Sequence, residues 1–221
     1  MTTLSVFPVV RQANFLLIGP AGRLEVLTTY PEAPKVPLVV VVICHPHPLL
    51  GGNMHNKVVY TLARSFQMMN FSTLRFNFRG VGKSQGQYDA GVGETDDVLA
   101  LLRWLQLTCH DCDIWLAGFS FGAYVAACAA KQWPVKQLIC VAPPIENFPF
   151  KTLVPFPCPW LLIQGNQDEV VSATAVFSWI KTLQDNPPRL ITMEGASHFF
   201  HGQLIELREQ LIMAFTHDHL E

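Results

Sequence analysis

The chain has 221 residues, 50% hydrophobic and 14% charged, enough apolar material for one substantial core and, on length, a single domain over 1–221. Its formal net charge is -2 with no block of lysine or arginine, which excludes the basic footprint of a nucleic-acid partner or an anionic membrane. The longest apolar runs, Leu38 to Cys44 and Ala123 to Ala130, fall short of the roughly 20 residues that span a bilayer, so no membrane span is expected.

The N-terminus lacks a basic segment followed by a hydrophobic one, and the six cysteines lie mostly in apolar stretches. A reducing, cytoplasmic location without disulfides is therefore expected. The terminal Leu220 and Glu221 read as a vector-derived scar.

In chain order, Phe15 to Ile18 and Leu24 to Thr29 flank "GPAG" as an antiparallel hairpin, and "YPEAPKVP" breaks the pattern. Leu38 to Cys44 is a continuous β-branched run, the mark of a strand buried on both faces; Lys57 to Met69 follows as a helix and Thr73 to Phe78 as a strand. After a Gly-rich loop, Val98, Leu101, Leu102 and Leu105 recur at helical spacing, with Glu94, Asp96 and Asp97 placed in the first turn to complement the helix dipole. Strands are expected at Asp113 to Ala117, Gln137 to Val141, Trp160 to Gln164 and Arg189 to Met193, and helices at Phe121 to Lys131, Ala173 to Leu183 and Gln203 to Phe215. This alternation predicts an α/β fold: a mostly parallel twisted sheet with helices on both faces and an N-terminal antiparallel hairpin.

Within "IWLAGFSFGAYVAACAA", Ser120 stands directly after a buried strand and directly before a helix, between Gly118 and Gly122. Gly-x-Ser-x-Gly arises by chance roughly 0.07 times in a chain of this length. At a strand-to-helix junction it predicts a sharp, strained turn that lifts the serine oxygen above the sheet edge. The plainer reading is a glycine-flanked helix cap. Ala123, Ala126 and Ala127 keep the next helix slender.

A serine hydroxyl needs a base, and the base needs a group to hold its tautomer. "LLIQGNQDEVV" places Asp168 after one buried strand and "MEGASHFF" places His198 after the next, in the order Ser, Asp, His. Glu169 and Glu194 are rival acids, read as solvated loop residues; His201 is a rival base, set aside because it is expected to begin the last helix.

With "HPHPLLGG", "LRFNFRGVGKSQG", "GFSFG", "GNQDEVV" and "GASHFF" in place, the sequence resembles the α/β-hydrolase superfamily from about Leu38 onward. It looks most like small bacterial members related to dienelactone hydrolases. The resemblance implies Ser120 as nucleophile, His198 as general base and Asp168 as its orienting acid. An oxyanion hole needs two backbone N–H groups: one from Phe121 and one from the loop after the Leu38 strand. There the family often has His-Gly-x and this chain has His45-Pro46-His47; Pro48 has no N–H, which leaves His47 or Leu49.

Three motifs point elsewhere. "RGVGKSQG" resembles the end of a phosphate-binding loop, but Asn77 stands where the earlier glycine is required, so a turn is expected with Gly80 and Gly82 supplying tight geometry. "HPHP", with His55, has a zinc-like spacing but no completing Asp-His, and "CHDC" (Cys109 to Cys112) lacks a partner pair; no metal is expected. The "HDH" near the C-terminus reads as a solvated tail.

The expected activity is that of a serine hydrolase acting, without a cofactor, on a small-molecule carboxylic ester or thioester through an acyl-enzyme. A peptidase or amidase with the same residues, and a non-catalytic binding scaffold, are the alternatives; the oligomeric state is left open. Only 18 residues, Ala142 to Pro159, six of them proline, join two of the central strands, too few for a large cap domain. Phe148, Phe150 and Phe156, with Phe121 and Phe199, are candidates for an apolar rim, at least two of which are expected to pack onto the sheet instead.

Overall fold

The structure is a computed structural model that describes residues 6–216. The "HDH" tail and the terminal Leu220–Glu221 pair lie outside the described residues.

The hairpin is β1 (Gln12–Gly19) and β2 (Gly22–Thr29), antiparallel and longer than its apolar core suggests, closed by a two-residue turn, Pro20–Ala21, after which Gly22 opens β2 at φ +116°. Then follow β3 (Leu38–Cys44), α1 (Lys57–Met68), β4 (Ser72–Phe76), α2 (Val92–Thr108), β5 (Cys112–Phe119), α3 (Phe121–Ala130), β6 (Gln137–Val141), β7 (Trp160–Gly165), α4 (Ala173–Ile180), β8 (Arg189–Met193) and α5 (Leu204–Thr216). Among the described residues they form one eight-stranded sheet in the order β1-β2-β4-β3-β5-β6-β7-β8, parallel from β4 to β8.

The β3 run is apolar throughout because both its faces are covered. Val40, Val42 and Cys44 join a core that includes α2, α3 and α4; Val39, Val41 and Ile43 join a second core with α1 and α5. Alternating Cβ directions along the strand divide the residues between the two layers.

Element ends differ from the sequence expectation where polar side chains intervene. β4 stops at Phe76 because the Phe78 N–H donates to the ring of His45. α2 begins at Val92, and Glu94 reaches back to accept from the N–H groups of Asp89 and Gly91. Asp97, expected to serve the helix dipole, is buried against Arg79. α4 ends at Ile180, where Thr182 and Leu183 tighten into i→i+3 hydrogen bonds. α5 starts at Leu204, so His201 lies in the preceding turn rather than at the helix start.

The β6–β7 connection contains only a single 3-10 turn, Phe150–Thr152. Phe150 and Phe156 are buried against Trp160 and Trp179, so this segment is folded down onto the core. Among the described residues no large cap stands over the sheet edge.

Candidate active site

Because β5 to β8 run parallel, the loops after β5, β7 and β8 leave from the same edge of the sheet. Ser120, Asp168 and His198 sit in those three loops. Ser120 has φ +54° and ψ -123°, a conformation that costs a non-glycine residue about 1–3 kcal/mol. It is held there by its N–H bond to Val141 O at 2.8 Å. A side chain at Gly118 would meet the carbonyl of Gly122, and one at Gly122 the carbonyl of Cys44, so both glycines permit backbone to pass against backbone.

His198 Nε2 lies 3.1 Å from Ser120 Oγ, and His198 Nδ1 lies 2.8 Å from Asp168 Oδ2. Both the His198 and Asp168 side chains are almost fully buried. Burial alone would raise the Asp168 carboxyl, but the hydrogen bonds from His198, Val171 N–H and Val170 N–H outweigh it and hold it below the ordinary carboxylate value. Gln164 Nε2 adds a bond to Oδ2 at 2.9 Å. Asp168 is thus an ionised acceptor facing an imidazole N–H, which leaves Nε2 free to accept a proton from Ser120.

Glu169 is not simply solvated: its Oε2 accepts the backbone N–H of His198 at 3.0 Å. Glu194 is exposed and contributes its carbonyl to Gln203. His201 is exposed and packs beside Phe199.

The loop after β3 rests on His45, which is fully buried. Its Nε2 accepts the Phe78 N–H at 3.0 Å, so its Nδ1 carries the proton and donates to Pro46 O at 2.7 Å. Burial pushes its pKa down to about 4, which keeps the ring neutral. The main-chain N–H groups of His47 and of Phe121, the first residue of α3, have no protein acceptor among the described residues. The ring of His47 packs on that of Phe121 at 5.1 Å, whereas Leu49 stands 69% exposed on a 3-10 turn, Pro48–Leu50.

One wall beside Ser120 is aromatic. Phe121 packs at a tilt against His47, Tyr88 and Phe148, Tyr124 stacks on Phe148, and the Tyr88 hydroxyl bonds His47 Nε2 at 3.1 Å. Phe199 closes the other side against His198 and is 40% exposed. Of the five expected rim rings, Phe150 and Phe156 belong to the core, Phe121 is buried with its ring inside the wall, and Phe148 and Phe199 remain at the surface of the site.

The family model for the alpha/beta hydrolase fold matches residues 39–157, more than half of the chain. The chain belongs to the alpha/beta hydrolase fold family. It is similar to an alpha-beta serine hydrolase homologue from Coxiella burnetii, 50% identical, with 95% of this chain and 100% of that one covered and a TM-score of 0.90. It is also similar to an a/b serine hydrolase without lid from Xanthomonas campestris, 42% identical, covering 93% of this chain and 94% of that one, TM-score 0.87. A dienelactone hydrolase from Anabaena variabilis, 19% identical over 94% of this chain and 98% of its own, shares the fold with a TM-score of 0.75.

Several parts of this alpha/beta hydrolase were not read as site residues from the sequence. His45 enters the sequence reading through the zinc-like spacing and the oxyanion-loop motif, whereas in the structure both its ring nitrogens are taken by backbone groups. Gln164 lies in the strand end of "LLIQGNQDEVV" with nothing local to mark it as a partner of Asp168, and Tyr88 belongs to none of the motifs. "RGVGKSQG" forms the expected turn, with Gly80 and Gly82 at φ +76° and +57°. Ser84 and Lys83 tie it to Glu25 of the hairpin. Arg79 from the same loop forks onto Asp97 and its N–H also bonds that carboxylate. No helix of the described residues is long and apolar enough to cross a membrane.

Proposed function

We propose that the protein is a serine hydrolase that cleaves a small carboxylic ester or thioester through an acyl-enzyme on Ser120. The observation that carries this reading is the continuous hydrogen-bonded chain from Asp168 through His198 to Ser120 Oγ, set on a strained elbow. His198 Nε2 takes the Ser120 proton as Oγ attacks the acyl carbon, and Asp168 stabilises the imidazolium that forms. The carbonyl oxygen, now negative, is received by the N–H groups of Phe121 and His47, at the positive end of α3. His198 then protonates the departing alcohol or thiol. Water enters, gives a proton to His198 and attacks the acyl carbon, and the carboxylic acid leaves as the proton returns to Ser120.

Every group needed is a side chain or backbone amide of this chain. The half-buried to buried free cysteines suit a reducing compartment, and the cytoplasm is the proposed location.

The test is labelling with a fluorophosphonate, followed by a screen of nitrophenyl esters, acyl-thioesters and aminoacyl amides. Labelling at Ser120, absent in Ser120→Ala, with ester or thioester turnover, is expected. Asp168→Asn should lower turnover by up to about 10⁴-fold by favouring the wrong imidazole tautomer. A folded wild-type protein that takes up no probe would place it among binding scaffolds, and cleavage confined to the amides would make it an amidase.

A further inference from the structure

On the α1 face of the sheet, away from Ser120, the structure holds a cavity of about 730 Å³ that none of the proposed chemistry uses. It lies between the β2 and β4 side of the sheet and the outer turns of α1, with the chain after β2 and Arg11 at its rim. Its size is that of a small-molecule site.

Its floor contains Arg75, which points to the α1 side of β4 and is only 5% exposed. Arg75 Nη1 donates to Met54 O at 3.1 Å and the guanidinium lies 5.6 Å from the ring centre of Tyr60. Its buried Nε has no partner, and no carboxylate of the described residues lies within ion-pair distance. Arg79, four residues on and also buried, shows the ordinary solution: two side-chain hydrogen bonds to Asp97. Arg75 is therefore a buried cation left uncompensated by the protein, and its burial pulls its pKa below the usual arginine value.

A second guanidinium lines the same cavity. Arg64 Nη1 donates to Gln67 Oε1 at 3.1 Å, Gln67 Nε2 donates to Thr29 Oγ1 at 3.1 Å, and Thr29 is tied to Thr73 at 2.7 Å. This relay links Arg64 on the helix to the sheet. Arg11 supplies a third positive charge, against the single carboxylate of Glu32, and neither forms an ion pair among the described residues. Tyr30 and Tyr60 give the cavity aromatic sides.

We propose that this cavity binds a small organic anion, a carboxylate or phosphate ester with an apolar body, which Arg75 and Arg64 grip through its oxygens while Tyr30 and Tyr60 flank the remainder. Planar guanidinium forks match the paired oxygens of either group, and the burial of Arg75 lowers the entropy lost on binding. The ligand supplies the counter-charge that Arg75 lacks.

The test is calorimetric titration of the full chain with inorganic phosphate, phenyl phosphate and benzoate in chloride buffer of matched ionic strength. Saturable binding of at least one probe is expected. It should weaken about tenfold or more in Arg64→Gln, an exposed helix substitution that leaves the fold intact, and in Arg75→Met where that variant folds. Binding should be unchanged in Ser120→Ala, which separates this site from the hydrolytic one. A preference for the phosphates or for benzoate identifies the anion. Failure of all three probes to bind wild-type protein, or equal affinity in Arg64→Gln, would overturn the assignment without bearing on the hydrolase.

Discussion

The backbone N–H of His198 donates to Glu169 Oε2 at 3.0 Å while its ring Nδ1 bonds Asp168 Oδ2 at 2.8 Å. Two adjacent acidic residues of the β7 loop thus hold the two halves of one histidine: Asp168 sets the ring, and Glu169 sets the main chain that carries it. Glu169→Ala should leave the histidine loop free and lower kcat by about tenfold to a hundredfold, since displacements of about 1 Å are felt at that level. Glu169→Gln keeps an acceptor oxygen and should change little. Turnover of a nitrophenyl ester by the two variants checks this; equal loss in both would mean that charge, not the acceptor, is what matters.

His45 makes stability depend on pH. Its folded pKa is about 4 against an ordinary 6.5, so between these values the unfolded chain binds more protons than the folded one. Stability is therefore full above about 6.5 and declines as pH falls toward 4, by about 3 kcal/mol for this group. Asp168, held below 3.8, keeps its contribution throughout that window and loses it only at lower pH. Urea unfolding at several pH values should show a flatter dependence for His45→Gln than for wild type. Parallel curves would remove His45 as the source.

The elbow tolerates no methyl group at Gly122. Its Cβ would strike the carbonyl oxygens of Cys44 and His45, which are backbone and unable to step aside. Gly122→Ala should destabilise the protein by about 1–3 kcal/mol, as overpacking does, and displace Phe121 relative to the β3 loop. Thermal unfolding and probe labelling measured together test both consequences. A stable, fully labelled variant would show that α3 and β3 can part without harm.

The open sheet edge bears on substrate size. With the β6–β7 segment packed down through Phe150 and Phe156, the site is flanked among the described residues by the wall from Phe121 to Phe148 and by Phe199. Short to medium acyl chains should be preferred, with no jump in rate when substrate forms micelles, and Phe148→Ala should shift the chain-length optimum. Rates across an acyl series, below and above the critical micelle concentration, decide it; a long-chain optimum with interfacial activation would count against an open site.

The sequence by itself determined the elements that its local patterns control. The unbroken apolar run of β3, the Gly-x-Ser-x-Gly junction before α3 and the loop positions of Asp168 and His198 each follow from strand burial, helix spacing or chain order. These are statements about neighbours along the chain. Where polar side chains find partners far away in sequence is settled by the fold. His45 meets the Phe78 N–H, Glu169 meets His198, Arg79 finds Asp97, and Arg75 meets only the carbonyl of Met54 and the ring of Tyr60, with no carboxylate among the described residues. Such pairings leave no periodic trace, because one hydrogen bond fixes two residues and says nothing of those between them. The same reason sorted the phenylalanines: Phe148 and Phe150 are alike in sequence, and only the fold of a proline-rich segment over Trp160 and Trp179 sends one to the site and the other to the core.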